Sequence, residues 1–305
     1  MIKVFGHFSP DTDSTGSPLI WAWYLSQVRN TPAQAVLLGQ PNSEAKFVLN
    51  HWGMDQPDIL TDLPAGTPVV IVDTNNPAEL PATINQADIL AIIDHHKLVG
   101  GLETKGPIDI TMRPLACTAT IMHELIGADM AQAPRAIKGL MLSCILSDTL
   151  EFRSPTTTPT DRALADALAE DLGVDMGELA SAMFAAKSDI SSFSDAELLR
   201  MDSKNFEVGD KKFRVSVLET TSPGQVLARK DSLMRSMETV AAEDGADQVL
   251  LFIVDILNEE ATLLLPNDLT RRLAQKSFGV DATGDNVVLP GVMSRKKQII
   301  PVLAL

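Results

Sequence analysis

Cysteine is nearly absent: Cys117 and Cys144 are the only two in 305 residues. Two thiols cannot form a disulfide framework, which excludes a small stapled secreted scaffold and suits a reducing compartment. Positive charge is scarce as well. Lys and Arg number 25 against 40 Asp and Glu, a net charge of −15. Nucleic-acid affinity is mostly phosphate neutralisation by cations, so a long polyanion is excluded as a partner, while a small phosphate ester or anhydride in one metal-lined cleft is not. Long hydrophobic runs are missing too. The longest, Val249 to Leu257, is interrupted by Asp255, and the start M-I-K-V-F-G has no apolar leader core. The expectation is a soluble cytoplasmic protein with no membrane association.

What is present is ordinary globular material, 45% hydrophobic and 21% charged, in a chain long enough for two cores. Up to about Thr149, short β-branched runs at Ile2 to Phe5, Val69 to Val72 and Ile89 to Ile93 alternate with helical patterns. This alternation predicts an α/β fold with a doubly wound, mostly parallel sheet. Pro18 suits a first helical turn, Ser43 opens a helix that Gly53 stops, and a wholly helical stretch runs from Thr158 to about Ala186. The polar, Ser-rich residues 188–194 read as a linker between a first domain at 1–187 and a second at 195–305. Strands at Phe213 to Leu218, Gln248 to Leu257 and Ala261 to Leu265, with helices after Pro223 and Asn267, predict a smaller mixed-sheet α/β second domain.

Histidine is also rare, yet three of the five, His7, His95 and His96, fall directly after predicted strands and beside carboxylates. His7 opens G-H-F-S-P-D-T-D, where Asp11 and Asp13 follow at a spacing that lets alternate carboxylates of a loop reach neighbouring ions. Asp73 ends V-V-I-V-D, Asp94, His95 and His96 end I-L-A-I-I-D-H-H, and Asp148 lies in L-S-D-T. A lone aspartate after a strand is ordinarily a helix cap or turn residue. Four of them with two imidazoles exceed what caps require and match two divalent ions sharing one carboxylate. Mixed nitrogen and oxygen donors favour Mn²⁺, with Co²⁺ as a substitute, over Mg²⁺, which prefers oxygen alone. His51 and His123 lie inside helical patterns and read as packing or surface residues, and both cysteines as core thiols. The basic run S-R-K-K-Q at 294–298 is either a solvated turn or a fork of cations for a phosphoryl group.

Together, G-H-F-S-P-D-T-D, V-D-T-N, D-H-H, L-S-D-T and S-R-K-K-Q resemble, in order and spacing over nearly the whole chain, the family II inorganic pyrophosphatases of the DHH superfamily, with a DHHA2-type C-terminal domain. The resemblance implies that His7, Asp11 and Asp73 hold one metal and Asp13, Asp73, His95 and Asp148 the other. It places His96 and Asp11 in catalytic roles, with His96 facing the substrate phosphate. Lys204, Arg295 and Lys296 would clamp pyrophosphate, Lys297 being a weaker candidate, and Asp94 would orient a ligand histidine. The implied reaction is hydrolysis of pyrophosphate to two phosphates by a water activated across a Mn²⁺ pair, with substrate held between the domains and additional Mg²⁺ arriving with it. A homodimer through the first domain is implied as well. Short-chain exopolyphosphatase and DHH-type phosphodiesterase activity on small nucleotides are the alternatives; the glycine-rich G-G-G-H-type motif of the latter is absent. The short linker leaves no room for an inserted nucleotide-sensing module. Thr74, where many members have histidine, and Phe8 with Ser9, replacing a polar pair, are the departures from the pattern.

Overall fold

The computed structural model describes residues 1–305, in two compact units, Met1–Lys187 and Ser188–Leu305. In the first, β1 (Ile2–Phe5) leads into α1 (Thr12–Trp23), then β2 (Ala33–Ala35), α2 (Ser43–His51), β3 (Pro68–Val72), β4 (Asp88–Asp94) and β5 (Asp109–Met112). Four helices follow, α3 (Thr118–Ile126), α4 (Arg135–Asp148), α5 (Pro159–Leu172) and α6 (Met176–Lys187). All neighbouring strands are parallel, in the order β2-β1-β3-β4-β5. The strand order reverses between β1 and β3, so their carboxyl ends flank the crevice where an open parallel sheet takes its ligand. One face of the sheet is sealed by Phe5, Val69, Ile71, Ile89 and Ile92, all buried with Val36, Leu63 and Leu80.

Two local readings are corrected. Pro18 lies inside α1 rather than in its first turn, because Asp11 caps the helix seven residues earlier by accepting from the Ser14 amide. The stretch from Thr158 is two helices, not one: Gly173, at φ +62, closes α5 in a left-handed cap before α6 begins at Met176.

The second unit comprises α7 (Asp195–Met201), β6 (Ser203–Val208), β7 (Lys211–Thr220), α8 (Pro223–Leu227), α9 (Lys230–Glu243), β8 (Gln248–Asp255), β9 (Glu260–Leu264), α10 (Asp268–Phe278) and β10 (Asn286–Pro290). Its sheet is mixed, ordered β10-β9-β8-β7-β6, with only β7 and β8 parallel. Every residue of β8 is buried because helices cover both faces. Leu250, Phe252 and Val254 pack with Leu273 and Ala274 of α10, whereas Val249, Leu251 and Ile253 pack with Leu233, Met237 and Val240 of α9. No helix of either unit is long and apolar enough to cross a membrane.

Candidate metal centre

The carboxyl ends of β1, β3 and β4 set the site. His7 follows β1, Asp73 follows β3, and Asp94 closes β4 with His95 and His96 just beyond. Asp73 stands at φ +58, a left-handed turn that aspartate tolerates better than most residues. Its amide still donates to the Ile93 carbonyl at 2.9 Å, so the turn redirects the side chain without breaking the ladder.

Asp11 and Asp13 are not in a loop, as their spacing suggested, but at the cap and first turn of α1. Asp13 is buried against the start of α3, accepting from the Thr118 amide at 2.6 Å, the Ala119 amide at 3.3 Å and Ser17 Oγ at 2.8 Å. Asp148 is the last residue of α4. The chain then makes a left-handed run through Leu150, Glu151 and Phe152, at φ between +48 and +67, tied by Thr149 Oγ1, which donates to the Ile145 carbonyl and accepts from the Phe152 amide.

These side chains converge. His7 Nε2 lies 3.6 Å from Asp73 and 3.9 Å from Asp11, and His95 Nε2 lies 3.3 Å from Asp73 and 3.9 Å from Asp148. His95 Nδ1 is 3.2 Å from the Leu115 carbonyl, which assigns the proton to Nδ1 and leaves Nε2 with its lone pair toward the carboxylates. Ligand atoms fall into groups suited to one ion each: His7, Asp11 and Asp73; Asp73, His95 and His96; Asp13, Cys117 and Asp148. Asp73 belongs to two of them.

The electrostatics ask for cations. Burial pushes the Asp73 carboxyl well above the usual range, and Asp13, Asp11 and Asp148 push it further. Asp148 is likewise raised, first by burial and then by Asp13 and Asp11. No Lys or Arg forms an ion pair with any of the four aspartates, Lys187 acting on Asp148 only at longer range; the ion-pair partners of Asp11, Asp73 and Asp148 are imidazoles, and Asp13 has none. Buried like charges without a counter-ion are strongly unfavourable, so a donor set of imidazole nitrogen and carboxylate oxygen fits divalent metal ions.

Asp94 is a different kind of carboxylate. Burial would raise it, but hydrogen bonds from the His96 ring at 2.9 Å and Asn75 at 2.5 Å, with the His96 amide, hold it below the usual range. The same contact raises the His96 imidazole and fixes Nδ1 on Asp94, turning Nε2 outward. His96 lines a cavity of about 470 Å³ with His7, Thr74, Asn75, Glu79 and Lys97.

Sequence reasoning overlooked several residues here. Asn75 clamps the loop after β4, donating to the Lys97 carbonyl and accepting from the Val99 amide at 2.7 Å. Lys97, adjacent to the paired histidines, puts the first unit's own cation beside the cavity. Cys117 is a fully buried core thiol, as its sequence reading has it, and its Sγ also lies among the Asp13 and Asp148 ligand atoms, while burial drives the thiol well above the usual value. Adjacency to D-H-H would have flagged Lys97; nothing local marks Cys117. Thr74 is buried and donates to Glu79 at 2.7 Å, so its departure from histidine is absorbed locally. His51 packs against Phe47 and Trp52, and burial pulls the His123 imidazole below its ordinary range.

In the second unit, Lys204 stands exposed on β6, and S-R-K-K-Q forms a wide helical turn capped by Ser294. Arg295 joins the two basic motifs by donating to the Asp202 carbonyl and pairing with its carboxylate, each at 2.8 Å. Lys296 and Lys297 are exposed.

The DHH family N-terminal domain matches residues 1–147, and the DHHA2 domain matches 181–304. A Deinococcus radiodurans protein named as a probable manganese-dependent inorganic pyrophosphatase is 42% identical over 99% of this chain and 98% of its own. A Lactobacillus helveticus protein of the same name is 34% identical over 98% and 96%. The crystal structure of a Methanococcus jannaschii chain assigned to the family II inorganic pyrophosphatases superposes with a TM-score of 0.63 at 32% identity, covering 99% of this chain and 98% of that one.

Proposed function

The chain belongs to the family II, manganese-dependent inorganic pyrophosphatases, and on that premise we propose that it hydrolyses inorganic pyrophosphate to two phosphates using a pair of Mn²⁺ ions. The observation that carries the reading is the convergence of four aspartates and three histidines, with Asp73 common to two ligand groups, beside a cavity at the sheet's switch point.

His7, Asp11 and Asp73 would hold one ion, and Asp13, Asp73, His95 and Asp148 the other. When bound, such a pair lowers the pKa of water and offsets charge on the attacked phosphoryl group. Asp11, whose side chain is 43% exposed against 2% for Asp73, is the carboxylate of this group open to solvent, and it would receive the proton of the attacking water. His96 is pinned at Nδ1 by Asp94, so its raised pKa favours an Nε2–H that donates to a phosphate oxygen. Lys204, Arg295 and Lys296 supply the charge that offsets the departing phosphate. Asp202, already bonded to Arg295, sets the direction of that guanidinium before substrate arrives.

The two buried thiols suit the reducing cytoplasm. A homodimer through the first unit is also part of the reading: β5 is an unpaired edge strand, Ile110 is 56% exposed on it and Leu90 of β4 is 37% exposed nearby. Light scattering on the wild type and on Ile110→Lys measures this, and a wild-type monomer removes it.

The decisive assay is phosphate release by chelator-stripped protein, with Mn²⁺, Co²⁺, Mg²⁺ and Zn²⁺ restored separately and with pyrophosphate and tripolyphosphate as substrates. Mn²⁺ with pyrophosphate should give the highest rate. Faster release from tripolyphosphate would replace the reading with exopolyphosphatase.

A further inference from the structure

Beneath the ligand cluster lies a carboxylate that the reaction as described does not use. Glu44, in the first turn of α2, is fully buried. A single oxygen, Oε2, accepts from Thr12 Oγ1 at 3.1 Å and Ser147 Oγ at 2.8 Å, and it pairs with Lys187 Nζ at 3.2 Å. The other oxygen, Oε1, has no hydrogen-bond partner. A buried charge with half its acceptor capacity unused is costly, and a neutral residue in its place would lose the ion pair that anchors this oxygen on Lys187.

The partners explain its place. Thr12 separates Asp11 from Asp13, and Ser147 immediately precedes Asp148. The N-terminus of α1 and the C-terminus of α4 therefore meet on one oxygen, each beside a member of the metal cluster. Lys187, the last residue of α6 and of the first unit, is the ammonium that offsets the charge, and it also acts to lower the Asp148 carboxyl against its acidic neighbours. We propose that Glu44 is a positioning residue, holding Asp11, Asp13 and Asp148 at the separation a metal pair requires by bonding Thr12 and Ser147 to one carboxylate oxygen anchored on Lys187. Hydrogen bonds made to a ligand itself typically carry about 10–100-fold in metal affinity or activity, and Glu44, acting one residue removed, falls at the lower end of that range.

This inference rests on reading those three aspartates as metal ligands, and the test separates the two. Chelator-stripped wild type, Glu44→Gln, Glu44→Asp and Ser143→Ala are titrated with Mn²⁺ by calorimetry and by the loss of the free-ion paramagnetic resonance signal. Melting temperatures are recorded without metal, and kcat and KM with it. Ser143→Ala is the structural control: it removes the Trp52 Nε1 to Ser143 Oγ bond, 2.9 Å, from the same α2–α4 contact without touching the cluster. Glu44→Gln should bind Mn²⁺ about tenfold more weakly and lose kcat with KM for pyrophosphate nearly unchanged. Ser143→Ala should lower the melting temperature alone, and Glu44→Asp should recover part of the Mn²⁺ affinity. Wild-type Mn²⁺ affinity in Glu44→Gln, or an equal affinity loss in Ser143→Ala, overturns the positioning role. Wild type that takes up no Mn²⁺ pair overturns the ligand reading, and the proposal with it.

Discussion

Replacing Asp73 by Asn should stabilise the metal-free protein while removing its response to Mn²⁺. Asn tolerates the left-handed φ of +58 and keeps an oxygen for the 3.2 Å bond from Thr118 Oγ1, so neither backbone strain nor a lost acceptor confuses the outcome. What changes is charge. Ligand atoms of Asp73 and Asp11 lie within 4.8 Å, and two unit charges at that separation repel by about 3.5 kcal/mol at an effective dielectric constant near 20. Partial protonation of the wild-type carboxyl relieves some of this, leaving about 2 kcal/mol, or roughly 4–8 °C in melting temperature for a unit of this size. The sign of the pH dependence follows. A carboxyl raised on folding by burial and by neighbouring carboxylates binds more proton folded than unfolded, so the metal-free wild type loses stability as pH climbs from the ordinary carboxylate range through the raised value. Asp73→Asn should show a shallower slope, with its advantage growing with pH. Saturating Mn²⁺, at about a thousand times its dissociation constant, should stabilise the wild type by about 4 kcal/mol and the variant by little. Differential scanning fluorimetry with chelator or Mn²⁺ across pH reads all of this. A lower metal-free melting temperature in Asp73→Asn, or an undiminished Mn²⁺ shift, would refute the reasoning.

Arg295→Ala should keep both Mn²⁺ ions by calorimetry and raise KM for pyrophosphate about tenfold, the value of one charge-assisted contact discounted for the bond Arg295 already makes to Asp202. Lys97→Met should raise KM up to about fivefold with kcat little changed, as expected for one exposed cation beside the cavity, and steady-state phosphate release measures both variants. Gly139→Ala would put a Cβ 2.2 Å from the Trp52 ring, which Ser143 holds in place. Overpacking there should cost about 1–3 kcal/mol, seen as a lower melting temperature with Mn²⁺ affinity unchanged.

The fold was legible where periodicity is strong. The runs that form β1, β3 and β4 each end within two residues of an ionisable side chain, and the parallel sheet delivers those ends to one edge. Less visible were elements whose sequences are short or polar. β2 and β5 have three and four residues, and β6, S-K-N-F-E-V, offers a single buried position. Pro18 misled because proline usually opens helices, whereas Asp11 caps this one and carries the proline in its interior. At the site, residue type announced the aspartates and histidines but not what holds them. Glu44 reads locally as a first-turn acid on an amphipathic helix, and only the packing of α2 against α1, α4 and α6 buries it beneath the cluster.

The same limit explains the backbone around the cluster. Asp73 and the Leu150–Phe152 run occupy left-handed conformations, which cost of order 1–3 kcal/mol each for non-glycine residues. Neither V-D-T-N nor D-T-L-E-F contains a glycine to advertise the turn. Both turns border residues of the cluster, and both are closed by specific bonds: the Asp73 amide to Ile93, and Thr149 Oγ1 between the Ile145 carbonyl and the Phe152 amide. Strain and like-charge repulsion thus fall on the same few residues, and they oppose folding in the absence of metal. Because cations cancel the repulsion but not the strain, a Leu150→Gly variant should raise the melting temperature equally with and without Mn²⁺, whereas Asp73→Asn raises it only without. That contrast separates the two destabilising contributions at one site.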